Sequence, residues 1–188
     1  MSRGLGDVYK RQMHNIVYTR VDDTDNYAQI YQSDLCGWVG KLGYEKEDAW
    51  FSNVYTAEQA EFLSAAGFYA TGVDTQYEIY VCENFTDSSS LKQGLKKVAS
   101  GSFVNEGYYT VDFDEMVKIE AGQKFAVVVK IKTPNEKKPV AVEYSSDYYT
   151  KTVNITDGEG YVSADGQEWV NTESTYACNL CLKCYTKR

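Results

Sequence analysis

The stretch Trp50–Cys82, WFSNVYTAEQAEFLSAAGFYATGVDTQYEIYVC, decides the fold. It holds three apolar runs separated by two polar turns, and no run has the spacing of an amphipathic helix. Trp50–Tyr55 stops at Thr56-Ala57-Glu58-Gln59, where a Thr followed three residues later by Gln predicts at most one helical turn, closed by a capping box. Leu63–Tyr69 is small and aromatic, and Gly72 with Asp74 supplies turn chemistry. Tyr77, Ile79 and Val81 then alternate with Glu78, Tyr80 and Cys82 at the period of two that a half-buried strand requires. The stretch reads as three adjacent core strands. Such a layer leaves an apolar face uncovered and demands a second sheet.

The partner strands lie downstream. Phe125, Val127, Val129 and Ile131 share one face of a strand, while Ala126, Val128 and Lys130 share the other. With both faces largely apolar, this strand belongs in the interior of a sheet. Leu95–Phe103 and Tyr108–Phe113 are further strands, with Gly101 and Gly107 as breakers; Tyr27–Tyr31 reads as an edge strand, and Val140–Tyr144, Gly160–Ser163 and Leu180–Tyr185 complete the set. Both prolines fall in the segment Thr133–Pro139, a loop, because proline cannot donate to a ladder. Asn84–Gly94 is polar and serine-rich, as an exposed loop would be, and Asp165-Gly166 turns the chain sharply between Tyr161-Val162-Ser163 and Trp169. About ten short strands without an amphipathic helix predict an all-β chain, a two-sheet antiparallel β-sandwich of jelly-roll type. Residues 13–188 are expected to form this one domain.

Residues 1–12, MSRGLGDVYKRQ, share neither the pattern nor the composition of the remaining chain. Asp7–Gln12 looks like the translated end of a sequencing adapter, so residues 1–12 are expected to be a disordered scar, with the natural frame entered near Met13 from within a longer gene. On that reading, the missing signal peptide says nothing about where the protein works.

A formal net charge of −8 repels phosphate backbones and anionic lipid, which argues against a general nucleic-acid or membrane-surface partner. No apolar run approaches the ~20 residues of a spanning helix, so membrane insertion is not expected.

The search for catalysis returns little. The single histidine, His14, precedes every cysteine, and Cys36-Gly37-Trp38 echoes a papain-type nucleophile without its serine, second cysteine or upstream glutamine. Glycoside hydrolysis needs only two carboxylates, but among 27 acidic residues some pair always lies close. Glu143 is the least solvated-looking of them, and its simplest reading is a strand residue facing water. No catalytic residue is assigned, and the chain is not read as an enzyme. Cys178, Cys181 and Cys184 stand at two-residue spacings, but the second, separate pair of a zinc ribbon is missing; buried thiols acting as small hydrophobes are expected, and no cofactor. Asp22, Asp23 and Asp25 offer oxygens to calcium, yet the loop lacks the glycine and terminal Glu of an EF-hand, and a solvated turn is the simpler reading.

What the composition offers is aromatic surface: 17 Tyr, 7 Phe and 3 Trp. A sugar presents apolar C–H faces and a polar rim, so its site pairs a flat aromatic with hydrogen-bonding groups. Trp38 and Trp169 sit in glycine-bearing polar connections, and with Tyr161 and Asp165 they are the candidate ligand contacts; Trp50, opening a core strand, is expected to be structural.

Several segments resemble, in order and spacing, the lectin-like domain found C-terminal to papain-type cysteine peptidase domains in exported proteins of Gram-positive bacteria. They are Tyr27–Gln32, Trp50–Thr56, Gly67-Phe68-Tyr69, Thr75–Val81, Gly107–Val111, Ala121–Lys130, Val142-Glu143, Gly160–Ser163 through Asp165-Gly166 to Trp169, and Cys181–Thr186. The resemblance implies a non-catalytic β-sandwich working beside a peptidase on an upstream part of the parent chain, at the cell surface or outside the cell. Two functions stay open under it: a module that binds glycan or cell-wall polysaccharide, and a structural domain that packs on the peptidase and positions it.

Overall fold

The computed structural model describes residues 18, 23, 25–146 and 150–188. Residues 1–12, His14 and Asp22 lie outside them, and with them the scar reading and one of the calcium candidates.

The described residues form thirteen strands. They are β1 (Ile30–Tyr31), β2 (Gly40–Leu42), β3 (Asp48–Thr56), β4 (Glu61–Ala70), β5 (Thr75–Cys82), β6 (Lys96–Phe103), β7 (Gly107–Ile119), β8 (Lys124–Lys132), β9 (Val140–Glu143), β10 (Gly160–Ser163), β11 (Val170–Asn171), β12 (Asn179–Leu180) and β13 (Leu182–Lys187). One short helix, α1 (Thr172–Tyr176), is capped by the Asn171 side chain. A six-stranded sheet in the order β11-β10-β3-β8-β5-β6 faces a four-stranded sheet, β1-β13-β4-β7, and β12-β9-β2 forms a small third sheet. All paired strands are antiparallel. The all-β sandwich is therefore as expected.

The interior placement of β8 holds. Phe125, Val127, Val129 and Ile131 enter the core between the two large sheets, against Leu63 and Phe68 of β4, Ile119 of β7 and Leu182 of β13. Ala126 and Val128 are equally buried on the outer face. Each fully buried valine or isoleucine contributes about 1.5–3 kcal/mol, so this strand anchors both layers.

The three strands of the Trp50–Cys82 stretch exist, but they are not adjacent. β3 and β5 flank β8, and β4 lies in the opposite sheet. Periodicity says which face of a strand is apolar and nothing about its neighbour, and here the chain crosses between sheets at each turn. The first crossing is not the expected helical turn: Ala57 N donates to Gln123 O at 2.9 Å and Gly122 N to Ala57 O at 2.8 Å, and residues 58–60 then bend towards β4.

Three other expectations change. Gly101 does not break β6: the Tyr77 hydroxyl would stand 2.6 Å from a Cβ there, so the glycine makes room for that ring within the strand. β7 runs unbroken from Gly107 to Ile119. The segment after β5 is mostly exposed, as expected, but not throughout: Phe85 and Leu91 are buried against the outer face of the six-stranded sheet. A 3₁₀ turn at Ser88–Leu91, capped by Asp87, presents Leu91 to that face.

Near the C-terminus the chain changes sheets at Cys181, with β12 pairing β9 and β13 pairing β4. Cys178 and Cys184 point into the sandwich core, and all five thiols are free. Burial pushes the Cys178 thiol up to about 11 and raises Cys181 and Cys184 further.

Glu143 does not face water. It is 1% exposed, and its carboxylate accepts from the Cys36 amide and from Asn179 Nδ2, tying β9 to the 33–38 segment and to β12. Close by, Lys183 Nζ pairs with buried Asp34 at 2.7 Å. Burial still raises the Asp34 carboxyl despite that ammonium. A strand glutamate can be buried only if donors meet it, and these come from residues 107 and 36 positions away.

Candidate binding site

Alternation places Trp50 and Val54 of β3, Glu78, Tyr80 and Cys82 of β5, Val128, Lys130 and Lys132 of β8, and Tyr161 of β10 on the outer face of the six-stranded sheet. The face has two halves. One is roofed: Val54, Cys82, Ala126 and Val128 lie under Phe85, Leu91 and Trp169. The other is open, and Trp50 and Tyr80, both half-buried, stand at the border. Their rings are stacked with centroids 5.7 Å apart and 25° between planes.

Charge meets the aromatics here. Lys130 Nζ lies 5.5 Å from the Trp50 ring centroid and donates to Glu78 Oε1 at 3.1 Å. Lys97 Nζ and the Tyr80 hydroxyl both donate to Glu78 Oε2, at 2.9 and 2.7 Å. The Tyr80 hydroxyl, then the two ammonium groups, hold the Glu78 carboxyl down at about 2. Burial and the same carboxylate push Tyr80 up to about 12. Beyond Glu78 an open groove of about 490 Å³ continues between β8 and β6, lined by Gln76, Lys132, Ser100 and Ser102 among others. An aromatic pair beside fixed, charged hydrogen-bonding groups suits a ligand that is partly apolar and rich in hydroxyls.

Two of the four sequence candidates, Trp169 and Tyr161, lie on this face, and a third, Asp165, shapes the turn beside it. Trp169 is buried, 9% exposed, and its Nε1 donates to Gly166 O at 3.1 Å. It roofs the sheet, with little of its ring left open to a ligand. Asp165 is exposed, but its Oδ1 accepts from the amides of Gln167 and Glu168 at 2.8 and 3.1 Å, shaping the turn that folds Trp169 back. Tyr161 is half-buried against Phe85. Gly166 of the same turn presses on Trp50, where a Cβ would stand 3.0 Å from the indole ring. Trp38 belongs to another group: it packs 5.5 Å from Tyr69, and Lys41 Nζ stands 5.5 Å from its ring. Tyr69 continues to Tyr108 at 5.0 Å, and the Tyr108 and Tyr185 hydroxyls share a hydrogen bond of 2.6 Å across the outer face of the four-stranded sheet. Sequence reasoning missed Trp50 and Tyr80. The available signal was register, since Trp50 shares its face with Ser52, and Tyr80 with Glu78.

Asp23 and Asp25 are exposed, and among the described residues no group of three His, Cys, Asp or Glu side chains is placed to hold a metal ion.

A second titratable cluster sits beside α1. The Glu159 amide donates to Glu173 Oε1 at 3.1 Å, and burial, then the charges of Asp157 and Glu173, push the Glu159 carboxyl up to about 8. A raised folded-state value means stability present below the unfolded value near 4.5 and lost as pH climbs through about 8. Glu78 and Asp165 are shifted the other way and act below the ordinary carboxylate range, so they do not oppose this between pH 5 and 8. The melting temperature is expected to fall from about pH 5 to pH 8, with the slope reduced in Glu159→Gln. An unchanged slope in that variant would assign the titration elsewhere.

The chain is thus an antiparallel sandwich that carries an aromatic, ion-paired groove on an outer sheet face. The chain belongs to the lectin-like domain family, whose profile matches residues 30–186. Its fold is shared by a clostridial cysteine protease, Cwp84, after propeptide cleavage, with TM-score 0.68 and 21% identity over 85% of this chain and 40% of that one. It is also shared by the cysteine protease and lectin-like domains of Cwp84, described as a surface layer associated protein of Clostridium difficile, with TM-score 0.61 and 22% identity over 75% of this chain and 32% of that one. This chain thus spans well under half of either structure. No curated protein sequence matches it.

Proposed function

We propose that this domain is the non-catalytic accessory module of an exported cysteine peptidase, and that it holds carbohydrate or cell-wall glycan on the open half of the six-stranded sheet. The carrying observation is the half-exposed Trp50–Tyr80 pair with Glu78, Lys97 and Lys130 fixed around it. The family and the surface-layer association described for Cwp84 support a place at the cell surface. Among the described residues no helix is long and apolar enough to cross a membrane. The test is retention of the 188-residue chain on a panel of purified polysaccharides and wall fractions. Retention that free polysaccharide competes away supports the reading, and no retention on any of them removes it.

A second reading has its own observation. The outer face of the four-stranded sheet carries the Tyr69–Tyr108–Tyr185 row with Ile30 46% and Tyr108 38% exposed, an aromatic surface that would suit a domain packing on and positioning the peptidase. If glycan retention fails, and joining this domain to its peptidase raises the melting temperature of both, that structural role takes its place.

A further inference from the structure

We propose that the groove beside the Trp50–Tyr80 pair selects saccharides bearing negative charge, as carboxylate or phosphate substituents. The inference rests on the carbohydrate reading above and names the ligand class.

In a chain of formal net charge −8, three lysines line this one groove: Lys97 from β6 and Lys130 and Lys132 from β8. Register brings them together. Trp50, Lys130 and Glu78 are successive cross-strand partners over β3, β8 and β5, and Lys132 stands between Asp48 and Gln76 in the next row. Lys97 arrives through a bulge. Ile79 pairs with Ala99, and unshifted pairing would put Lys97 opposite Val81, a fully buried core residue. The register shift between Ile79 and Tyr80 instead puts Lys97 opposite Tyr80, on the outer face, where its ammonium meets Glu78. Re-aiming a side chain is what bulges do, at the cost of a disrupted ladder.

The local charge balance leaves capacity for an anion. Glu78 is the carboxylate lining the groove, and Lys97 and Lys130 each give it one hydrogen bond. An ammonium carries three donors, so both keep N–H groups for a ligand. Glu78, held ionised, pins the two ammonium groups, which lowers the side-chain entropy lost when a ligand arrives. Lys132 has no ion-pair partner among the described residues, although Asp48 faces it in the register. Ser100 and Ser102 on the β6 wall supply hydroxyls for the uncharged rim of a sugar. Negative substituents then meet the lysine ammonium groups along the groove while a ring rests against the exposed part of the aromatic pair. Because the overall charge repels polyanions at long range, the selection is short-range and confined to this groove.

The test compares a polygalacturonate, a phosphate-substituted mannan and a neutral galactan, titrated against the whole chain in low and high salt. In low salt the charged polymers are expected to bind about tenfold tighter than the neutral one, with the ratio falling towards one in high salt as the exposed ammonium groups are screened. Lys132→Gln is expected to lower that ratio with no change in melting temperature. Preference for only one charged polymer supports the inference and identifies the substituent. Equal affinity for charged and neutral polymers in low salt, or a preference indifferent to salt, overturns it and leaves the carbohydrate reading standing. Absence of binding to all three overturns the inference, and the carbohydrate reading then stands or falls on the panel of polysaccharides and wall fractions.

Discussion

Replacing Trp169 with alanine is expected to destabilise the protein by about 3–5 kcal/mol, the range for emptying a buried aromatic site. The indole roofs Val54, Ala126 and Val128 and closes its own turn through Nε1 to Gly166 O. Its loss uncovers the outer face of β8 and leaves a carbonyl without its donor. The cost rests on burial, so Trp169→Phe is expected to recover more than half of it. Chemical denaturation of the two variants decides the matter, and an alanine variant within about 1 kcal/mol of the parent would return Trp169 to the surface.

Trp50→Ala is expected to behave in the opposite sense. Half-buried at the border of the roofed region, it should cost only about 1–2 kcal/mol through lost burial and lost stacking on Tyr80. Affinity for glycan, by contrast, is expected to fall at least about thirtyfold, since one aromatic anchor commonly carries 2 kcal/mol or more of a small interface. Affinity electrophoresis beside denaturant unfolding separates the two quantities. If Trp50→Ala loses stability as Trp169→Ala does while glycan affinity survives, the open half of the face is not the binding site.

These paired expectations reverse the order that local sequence suggests, and the reason is physical. Trp50 opens an apolar run and so reads as core, but a strand has two faces and its immediate neighbours lie on the other one. Trp169 stands among Gly166, Gln167 and Glu168 and so reads as loop, yet Ser163 Oγ caps the Gly166 amide, the Asp165 side chain caps those of Gln167 and Glu168, and the turn folds the indole onto the sheet. Glu143 shows the same limit, for its burial depends on an amide 107 residues away. What was legible was whatever depends on one strand alone: the doubly apolar character of β8, the edge position of β1, the sharp turn at Asp165-Gly166 and the all-β class. Partners in the sheet, the roof over its outer face and the groove beside Glu78 arise from contacts distant in sequence, on which local pattern is silent.

The strand order also bears on when the fold can form. In the four-stranded sheet β13 lies between β1 and β4, and its residues are the last of the described chain to be synthesised. Until Leu182–Lys187 has been made, β1 has no partner and β4 keeps one edge bare. The six-stranded sheet waits as well, because β3 and β5 are joined only through β8. Pairings of such long range make folding slow, on the order of milliseconds to seconds once the chain is whole. A nascent chain growing at about 5–20 residues per second therefore carries unpaired edges for several seconds before any sheet can close. Keeping unpaired edges from one another until the last strand arrives, more than stability afterwards, is the demand this topology makes.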